Sequence, residues 1–411
     1  MGYECYLGSK DEIHRLFEQV KPFAYFDKGY HAKVSEGIYD TIKKNEGSII
    51  NLDEEGGVDF KDFSTISARY PEKVFQICDL IFLWGVNQYQ FLKHSREYFS
   101  EDKVVVSGHP RFDILKQPFH SLYEQASKAL RSRYKRYVLI NTNMGFGNNI
   151  WGDSFVRKNY GPRLRELDKI IEFDKQKLER YISFVRRLAP VCDAKIILRP
   201  HPEESQVTYS KAFQDLKNVE VVFEGSVIPW ILAAEVLIHP DCTTGIESLM
   251  LGKRSISYLP DHQDNVSTYL PIKLSHACHD EDELIDLILE RRYPSYEGTV
   301  DPLLNEYFSF ENDSTDIVVD RVHRLLCKYQ SGSTKELSYF YPVKGRIKDI
   351  LRPYYFRLKK RDIDLYQNKA GGLDPGSVTA IFDIVNTILS MQGRVELQSI
   401  TSSLNRIRGR K

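Results

Sequence analysis

Short apolar runs alternate with stretches of helical period over most of the chain's first 260 residues. Phe23-Ala24-Tyr25-Phe26, Ser48-Ile49-Ile50-Asn51-Leu52, Leu80-Ile81-Phe82-Leu83-Trp84 and Lys103-Val104-Val105-Val106-Ser107 read as buried strands, and 30–44 reads as a helix. The first clear element ahead of them is Gly2–Leu7. A second series starts at Tyr137-Val138-Leu139-Ile140-Asn141 and continues with Ala194–Leu198, 219–223, Val236-Leu237-Ile238 and Ser255–Tyr258. Helical stretches at about 161–189 and 227–234 separate these runs. Continuous apolar strands alternating with helices predict parallel sheets buried on both faces. Between the series, at 115–135, the periodicity weakens and the chain turns basic, which places a domain boundary there. The expected organisation is α/β, two Rossmann-type parallel-sheet domains at 1–125 and 126–300, with a helical, basic extension at 301–411.

Composition narrows the classes. At 411 residues the chain is long enough for two domains and an appendage. Lys+Arg and Asp+Glu both total 57, so no global field favours nucleic acid. The six cysteines are scattered without a CxxC pair, which argues against a disulfide framework or zinc site and predicts a reducing, cytoplasmic setting. The sequence contains no apolar run of about 18 residues, and the N-terminus lacks the basic and apolar regions of a signal peptide.

The chemistry concentrates where strands end. Residues 236–258 run from strand through Asp241-Cys242-Thr243-Thr244-Gly245 into a helical period and back into a strand. A helix opening on two hydroxyls and a glycine suits a phosphate, although Thr244 with Glu247 also reads as a capping box. Strand 48–52 runs into Asp53-Glu54-Glu55-Gly56-Gly57, where three adjacent carboxylates repel one another. Such a loop can supply a general base with a raised pKa, or it is a solvated acidic turn. In Ser107-Gly108-His109-Pro110-Arg111-Phe112-Asp113, His109 and Arg111 could face an anion, with pairing of Arg111 to Asp113 the plainer expectation. Asn143 lies in a loop whose Gly145-x-Gly147 resembles a dinucleotide fingerprint but has Ile150 at the third glycine position. Prolines on both sides fix His201 in Arg199-Pro200-His201-Pro202.

Taken in order, Asp53-Glu54-Glu55-Gly56, Gly108-His109-Pro110-Arg111-Phe112-Asp113, Arg199-Pro200-His201-Pro202 and Thr243-Thr244 with Glu247 resemble a known family over about residues 1–290. It is that of the bacterial surface-carbohydrate biosynthesis proteins. These are related to CDP-glycerol glycerophosphotransferases and to capsule and lipopolysaccharide transferases using CMP-activated ulosonic acids (Kdo, sialic acid). The resemblance implies a GT-B-like pair of facing domains and a metal-independent glycosyltransferase with no cofactor beyond its nucleotide-sugar donor. It implies Glu54 or Glu55 as base, His201, Thr243 and Thr244 on the nucleotide phosphate, and Glu247 on ribose. Asn143, Arg199, Pro202 and His239 from the same loops complete the expected donor site. The family carries a strand and helix ahead of the point where this chain begins, which predicts a first domain short of its amino-terminal elements. His239-Pro240-Asp241 places a carboxylate beside the donor, so Asp241 is either a nucleophile forming a glycosyl-enzyme or a loop-holding residue.

The leading expectation is transfer of Kdo or a related sugar from a CMP donor to a surface polysaccharide or lipopolysaccharide. The rivals are polyol-phosphate transfer from CDP-glycerol or CDP-ribitol, a non-catalytic partner of a synthase complex, and an NAD-linked enzyme. Residues 344–361 carry eight Lys/Arg against Asp349 alone, and their apolar positions fall on one helical face. This pattern fits an anionic membrane surface holding a lipid-linked glycan, or a helix docked across the domains. Asp362-Ile363-Asp364 reads as a chance match to a metal-binding motif.

Overall fold

The computed structural model describes residues 3–329 except 21–22, 58, 162–163, 165, 262, 264–265 and 295–299, and then Tyr341, 375–390, 394–401 and 404–409. The basic segment 344–361 and Asp362–Asp364 lie outside the described residues. The strands are β1 (Cys5–Gly8), β2 (Ala24–Asp27), β3 (Ser48–Leu52), β4 (Leu80–Leu83), β5 (Val104–Val106), β6 (Tyr137–Asn141), β7 (Lys195–Arg199), β8 (Val219–Val221), β9 (Val236–His239), β10 (Ser255–Tyr258), β11 (His276–Cys278), β12 (Val395–Thr401) and β13 (Leu404–Gly409). They form two parallel sheets and one antiparallel sheet.

The first parallel sheet has the order β2-β3-β4-β5, the order of the chain. Parallel crossovers are right-handed, so a sheet that always steps the same way places its connecting helices on one face. Ile49, Ile81 and Leu83 accordingly pack with Ile38 and Ile42 of helix Ala32–Lys44, with Ile66, Val74 and Phe75, and with Leu92 of helix Val86–Ser95. The other face, presenting Ile50, Leu52, Leu80 and Phe82, needs cover from elsewhere. Leu304, Phe308 and Val318 of helices Val300–Phe308 and Ser314–Leu326 supply it. Thus 300–326, expected as part of an extension, completes the first domain. Burying a side chain such as Phe308, 1% exposed, contributes roughly 1.5–3 kcal/mol.

The second sheet has the order β11-β10-β9-β6-β7-β8. Its direction reverses between β6 and β9, so helices fall on both faces. Helix Leu167–Leu188 covers one face with Tyr181, Phe184 and Leu188, and Trp230, Ile231, Ile246 and Met250 cover the other. Helix Ser121–Tyr134 packs here too, Arg131 donating to the Leu232 carbonyl (2.8 Å) and Tyr134 lying 5.8 Å from Trp230. The boundary read at 125 therefore falls inside a helix that belongs to the second domain.

The carboxyl edges of the two sheets meet, giving the GT-B-like pair of Rossmann-type domains. Two other differences concern the chain's extremities. β1, read as the start of the first domain, pairs antiparallel with β13, and the extension ends in the β12–β13 hairpin after helix Pro375–Ile388. Leu16, Val20, Ile400 and Leu404 form a small separate core beneath this sheet.

Candidate functional site

Register brings the motif loops together. Asn141 lies opposite Arg199, so the loops after β6 and β7 start side by side. The loop after β9 starts across the point where strand order reverses, the position at which open α/β sheets bind ligands. Leu52 opposite Phe82 and Leu83 opposite Val106 align the loops of the first sheet along one edge.

The acidic loop separates its three carboxylates. Asp53 is buried, accepts from Arg69 Nε (2.7 Å) and from the Glu55 amide (2.8 Å), and its Oδ2 has no partner. Glu54 pairs at the surface with Lys28 (3.0 Å), and Glu55 is exposed. Trp84 Nε1 donates to the Asp53 carbonyl (2.6 Å) and Gln88 Nε2 to the Gly56 carbonyl (3.2 Å). A Cβ on Gly56 would lie 2.4 Å from the Trp84 ring, so only glycine lets the loop pass this close. Further on, Asp59 is buried. Burial pushes its pKa to about 6 against amide donors from Phe60, Thr65 and Ile66.

His109 caps the short helix Pro110–Asp113, its Nδ1 accepting from the Arg111 amide (3.0 Å). With Nδ1 an acceptor, the neutral ring carries its proton on Nε2. Burial and then the Arg111 charge lower its pKa to about 3, and the ring sits edge-on to Trp84. Arg111 does not pair with Asp113. Asp113 instead accepts from the amides of Ser314 and Thr315 and from Lys116, locking down the helix that covers the first sheet. Arg111 crosses the cleft, donating to Glu247 Oε1 (2.9 Å) and to the Glu54 carbonyl (3.3 Å). Burial raises the Glu247 pKa, and Arg111 opposes that.

The capping box is not formed. Thr243 occupies the cap position without a side-chain cap bond, Glu247 turns to Arg111, and the buried Thr244 Oγ1 has no hydrogen-bond partner beside Cys242. Neither hydroxyl caps helix Thr244–Met250.

Four expected residues hold structure instead. Arg199 is buried, donates to the carbonyls of Glu224 (2.8 Å) and Gly225 (3.1 Å) and lies over Trp230; burial lowers its pKa to about 10. Its guanidinium therefore ties down the 224–225 turn. His239 is fully buried between Ser275 Oγ (2.9 Å) and the Cys242 amide (3.3 Å), with its pKa lowered by burial to about 4. A Cβ on Gly245 would lie 2.3 Å from its Nε2, so His239 forms the floor on which the Thr-Thr-Gly turn rests. Asp241 Oδ1 accepts from Lys177 (3.3 Å) and Asn143 Nδ2 (3.3 Å), and its Oδ2 from the Thr268 amide (3.1 Å). With both oxygens engaged, Asp241 and Asn143 have loop-holding geometry. His201 is half-buried, its Nδ1 accepting from the Glu203 amide (3.3 Å), and Pro202 is exposed.

Sequence reading missed the groups beneath these loops. Lys177 is buried between Asp174 (2.9 Å) and Asp241, and also donates to the Asn143 carbonyl. Burial opposes its charge, yet the two carboxylates hold its pKa above the lysine range. Asp174 Oδ2 accepts from the Phe146 amide (2.9 Å). Glu204 accepts from Thr142 Oγ1, the Met144 and His201 amides, and Tyr209, joining the loops after β6 and β7. Asp174 and Lys177 sit three apart on the buried side of an amphipathic helix, which was the available signal. Among the described residues, no cluster of three or more His, Cys, Asp or Glu is placed to hold a metal, and no helix is long and apolar enough to cross a membrane.

No family model and no curated protein matches the chain. Solved structures do at low identity. The wall teichoic acid polymerase TagF soaked with CDPG aligns at 12% identity and TM-score 0.47, covering 74% of this chain and 73% of that one. A Methanocaldococcus jannaschii UDP-GlcNAc 2-epimerase in complex with UDP-GlcNAc and UDP aligns at 14% identity and TM-score 0.45, covering 77% and 79%. S. aureus MnaA with UDP aligns at 13% identity and TM-score 0.43, covering 80% and 81%. Likeness at this level assigns neither reaction nor substrate.

Proposed function

We propose that the protein is a GT-B-type transferase that moves a group from a nucleotide-activated donor to a hydroxyl of a surface glycan. The observation that carries this reading is Arg111, which bridges the Glu54 carbonyl and the Glu247 carboxylate across the cleft. It joins the acidic loop, the His-Pro-Arg loop and the Thr-Thr-Gly helix into one constellation. Thr243, Thr244 and His201 hold the nucleotide phosphate where strand order reverses. In this reading the Arg111 guanidinium and the His109 Nε2–H serve as donors for a leaving phosphate. Glu55 takes the proton from the acceptor hydroxyl. It is the better base of the pair because Glu54 is engaged by Lys28. The acceptor oxygen bonds to the transferred group as that group's bond to the nucleotide breaks, the phosphate keeping the electron pair.

Sequestration of Asp241 favours direct displacement over a glycosyl-enzyme. Transfer of Kdo or a related ulosonic acid from a CMP donor remains the reading drawn from the motif set. Direct displacement serves polyol-phosphate transfer from a CDP donor equally well, and that is the second reading. Thermal stability against CMP, CDP, UMP, UDP, GDP and NAD identifies the nucleotide, since a ligand at about 100 times its Kd adds about 2.7 kcal/mol. Both transfers release CMP, so stabilisation by CMP supports a cytidine donor of either kind. The product then separates them, a glycoside for the ulosonic acid and a phosphodiester for the polyol phosphate; UDP or GDP would replace both donors. NAD alone, or no response, would overturn the transferase reading. With the donor in hand, Glu55→Gln is expected to lower turnover about 10²–10⁴-fold while leaving thermal stability unchanged. A non-catalytic partner would show no such loss.

A further inference from the structure

Two cavities of the first domain share a wall. One, of about 190 Å³, opens beside Gly56 and Asp59 at the acidic loop and is bounded by Phe63, Tyr269 and Tyr307. The other, of about 520 Å³, lies beyond Phe63 and Tyr307 along helix Val86–Ser95. Asn87, Gln90, Phe91 and His94 line it at i, i+3, i+4 and i+7, a single stripe of that helix. The stripe extends about 10 Å along the helix axis, starting at the cleft end, at 1.5 Å rise per residue.

Three rings build the wall. Phe63 stacks near-parallel on Phe91 (5.1 Å, 19°) and lies parallel to Tyr307 (6.4 Å, 8°). Phe63 holds this place with a left-handed backbone, φ 58°, which a bulky side chain adopts only where surrounding structure enforces it. Tyr307 comes from the helix that returns from the second domain to cover the first sheet, and Asn87 sits by its hydroxyl. The larger cavity's lining contains no Asp, Glu, Lys or Arg; its polar groups are two amides, two hydroxyls and an imidazole.

We infer that this aromatic groove is the acceptor subsite and that its occupant is an uncharged stretch of oligosaccharide. A pyranose has an apolar C–H face, which suits the negative face of an aromatic ring, and hydroxyl edges, which suit Asn and Gln side chains. A lining without charge disfavours a charged peptide, nucleic acid or anionic lipid. The smaller cavity, on the other side of Phe63 and Tyr307, reaches Gly56, so the groove's near end lies one wall away from the proposed base. The inference rests on the transferase reading for the direction of transfer, and on the groove alone for the ligand class.

The test is binding of the intact protein to an array of defined bacterial-type oligosaccharides, with calorimetric titration of the best soluble binder. Tyr307→Ala and, separately, the surface change Gln90→Ala are compared with wild type, and CMP and CDP stabilisation is measured on the same samples. The expected result is an affinity loss of at least about tenfold in Tyr307→Ala and a smaller one in Gln90→Ala, with nucleotide stabilisation unchanged. Saccharide binding that both variants leave intact, or no saccharide binding by wild type, overturns the groove. Loss of nucleotide stabilisation in Gln90→Ala, which keeps the aromatic wall, overturns it too. Saccharide binding lost in the variants of a protein that binds no nucleotide would keep the groove and remove the transferase reading.

Discussion

The two sheet edges that meet at the cleft are built on opposite principles. On the second domain's edge the ionisable groups are buried and consumed by one another: Asp174, Lys177 and Asp241 form a closed ion network, and Glu204 has both oxygens engaged. On the first domain's edge Asp53 is likewise buried against Arg69, but Glu54, Glu55 and Arg111 remain accessible. A buried network costs desolvation and returns fixed geometry. An accessible carboxylate keeps water and can exchange a proton. The function proposed above gives positioning of the donor to the second edge and proton transfer to the first, although both edges carry Asp and Glu.

The largest effect is expected where the network is broken on one side only. Lys177→Met leaves two carboxylates buried together, and removing one partner of a buried pair costs about 3–5 kcal/mol. Chemical denaturation should show a loss of that order. Neutralising the whole cluster, Lys177→Met with Asp174→Asn and Asp241→Asn, should recover most of it, because an uncharged replacement need not be less stable. A single variant within about 1 kcal/mol of wild type would mean the network is solvated, and the contrast between the edges would fail.

The histidine beneath the second edge sharpens the comparison through pH. His239 is held neutral, its pKa falling from 6.5 to about 4. A depressed histidine pKa means that below pH 6.5 the unfolded chain takes up a proton that the folded chain refuses. Stability is therefore whole above 6.5 and is lost as pH falls toward 4, by about 3 kcal/mol in all. The raised carboxyl of Asp59 has the opposite sign, because the folded state binds its proton first. The clean measurement is thus the difference in unfolding free energy between wild type and His239→Asn across that window. Parallel curves would show that His239 is not the titrating group.

The strands were legible because a strand buried on both faces leaves a continuous apolar run: 48–52, 137–141 and 255–258 match β3, β6 and β10. The converging loops followed from parallel topology, in which loops after successive strands leave one edge. What the pattern could not carry was long-range pairing. β1 finds β13 some four hundred residues away, Asp113 finds Thr315, and Arg111 finds Glu247 rather than the nearby Asp113. His239 and Arg199 illustrate the same gap: a motif fixes where the backbone lies, and the surrounding packing decides whether the side chain reaches the ligand.

The smallest effect concerns the Arg111–Glu247 ion pair, which spans the two edges. Arg111 is 43% exposed at its side chain and Glu247 only 10%, so the attraction is largely screened on one side, and a pair of this kind contributes about 0.2–1 kcal/mol. A double-mutant cycle of Arg111→Ala and Glu247→Gln on unfolding free energy should return a coupling in that range. The apolar cluster that joins Ile50, Trp84 and Phe112 to Ile246 and Met250 is the larger source of cohesion across the cleft. Arg111→Ala should therefore weaken nucleotide stabilisation more than it weakens the fold, if the guanidinium meets the leaving phosphate as proposed. A coupling above about 2 kcal/mol, with nucleotide stabilisation unchanged, would instead make the pair a latch between domains and leave the phosphate to Thr244 and His201.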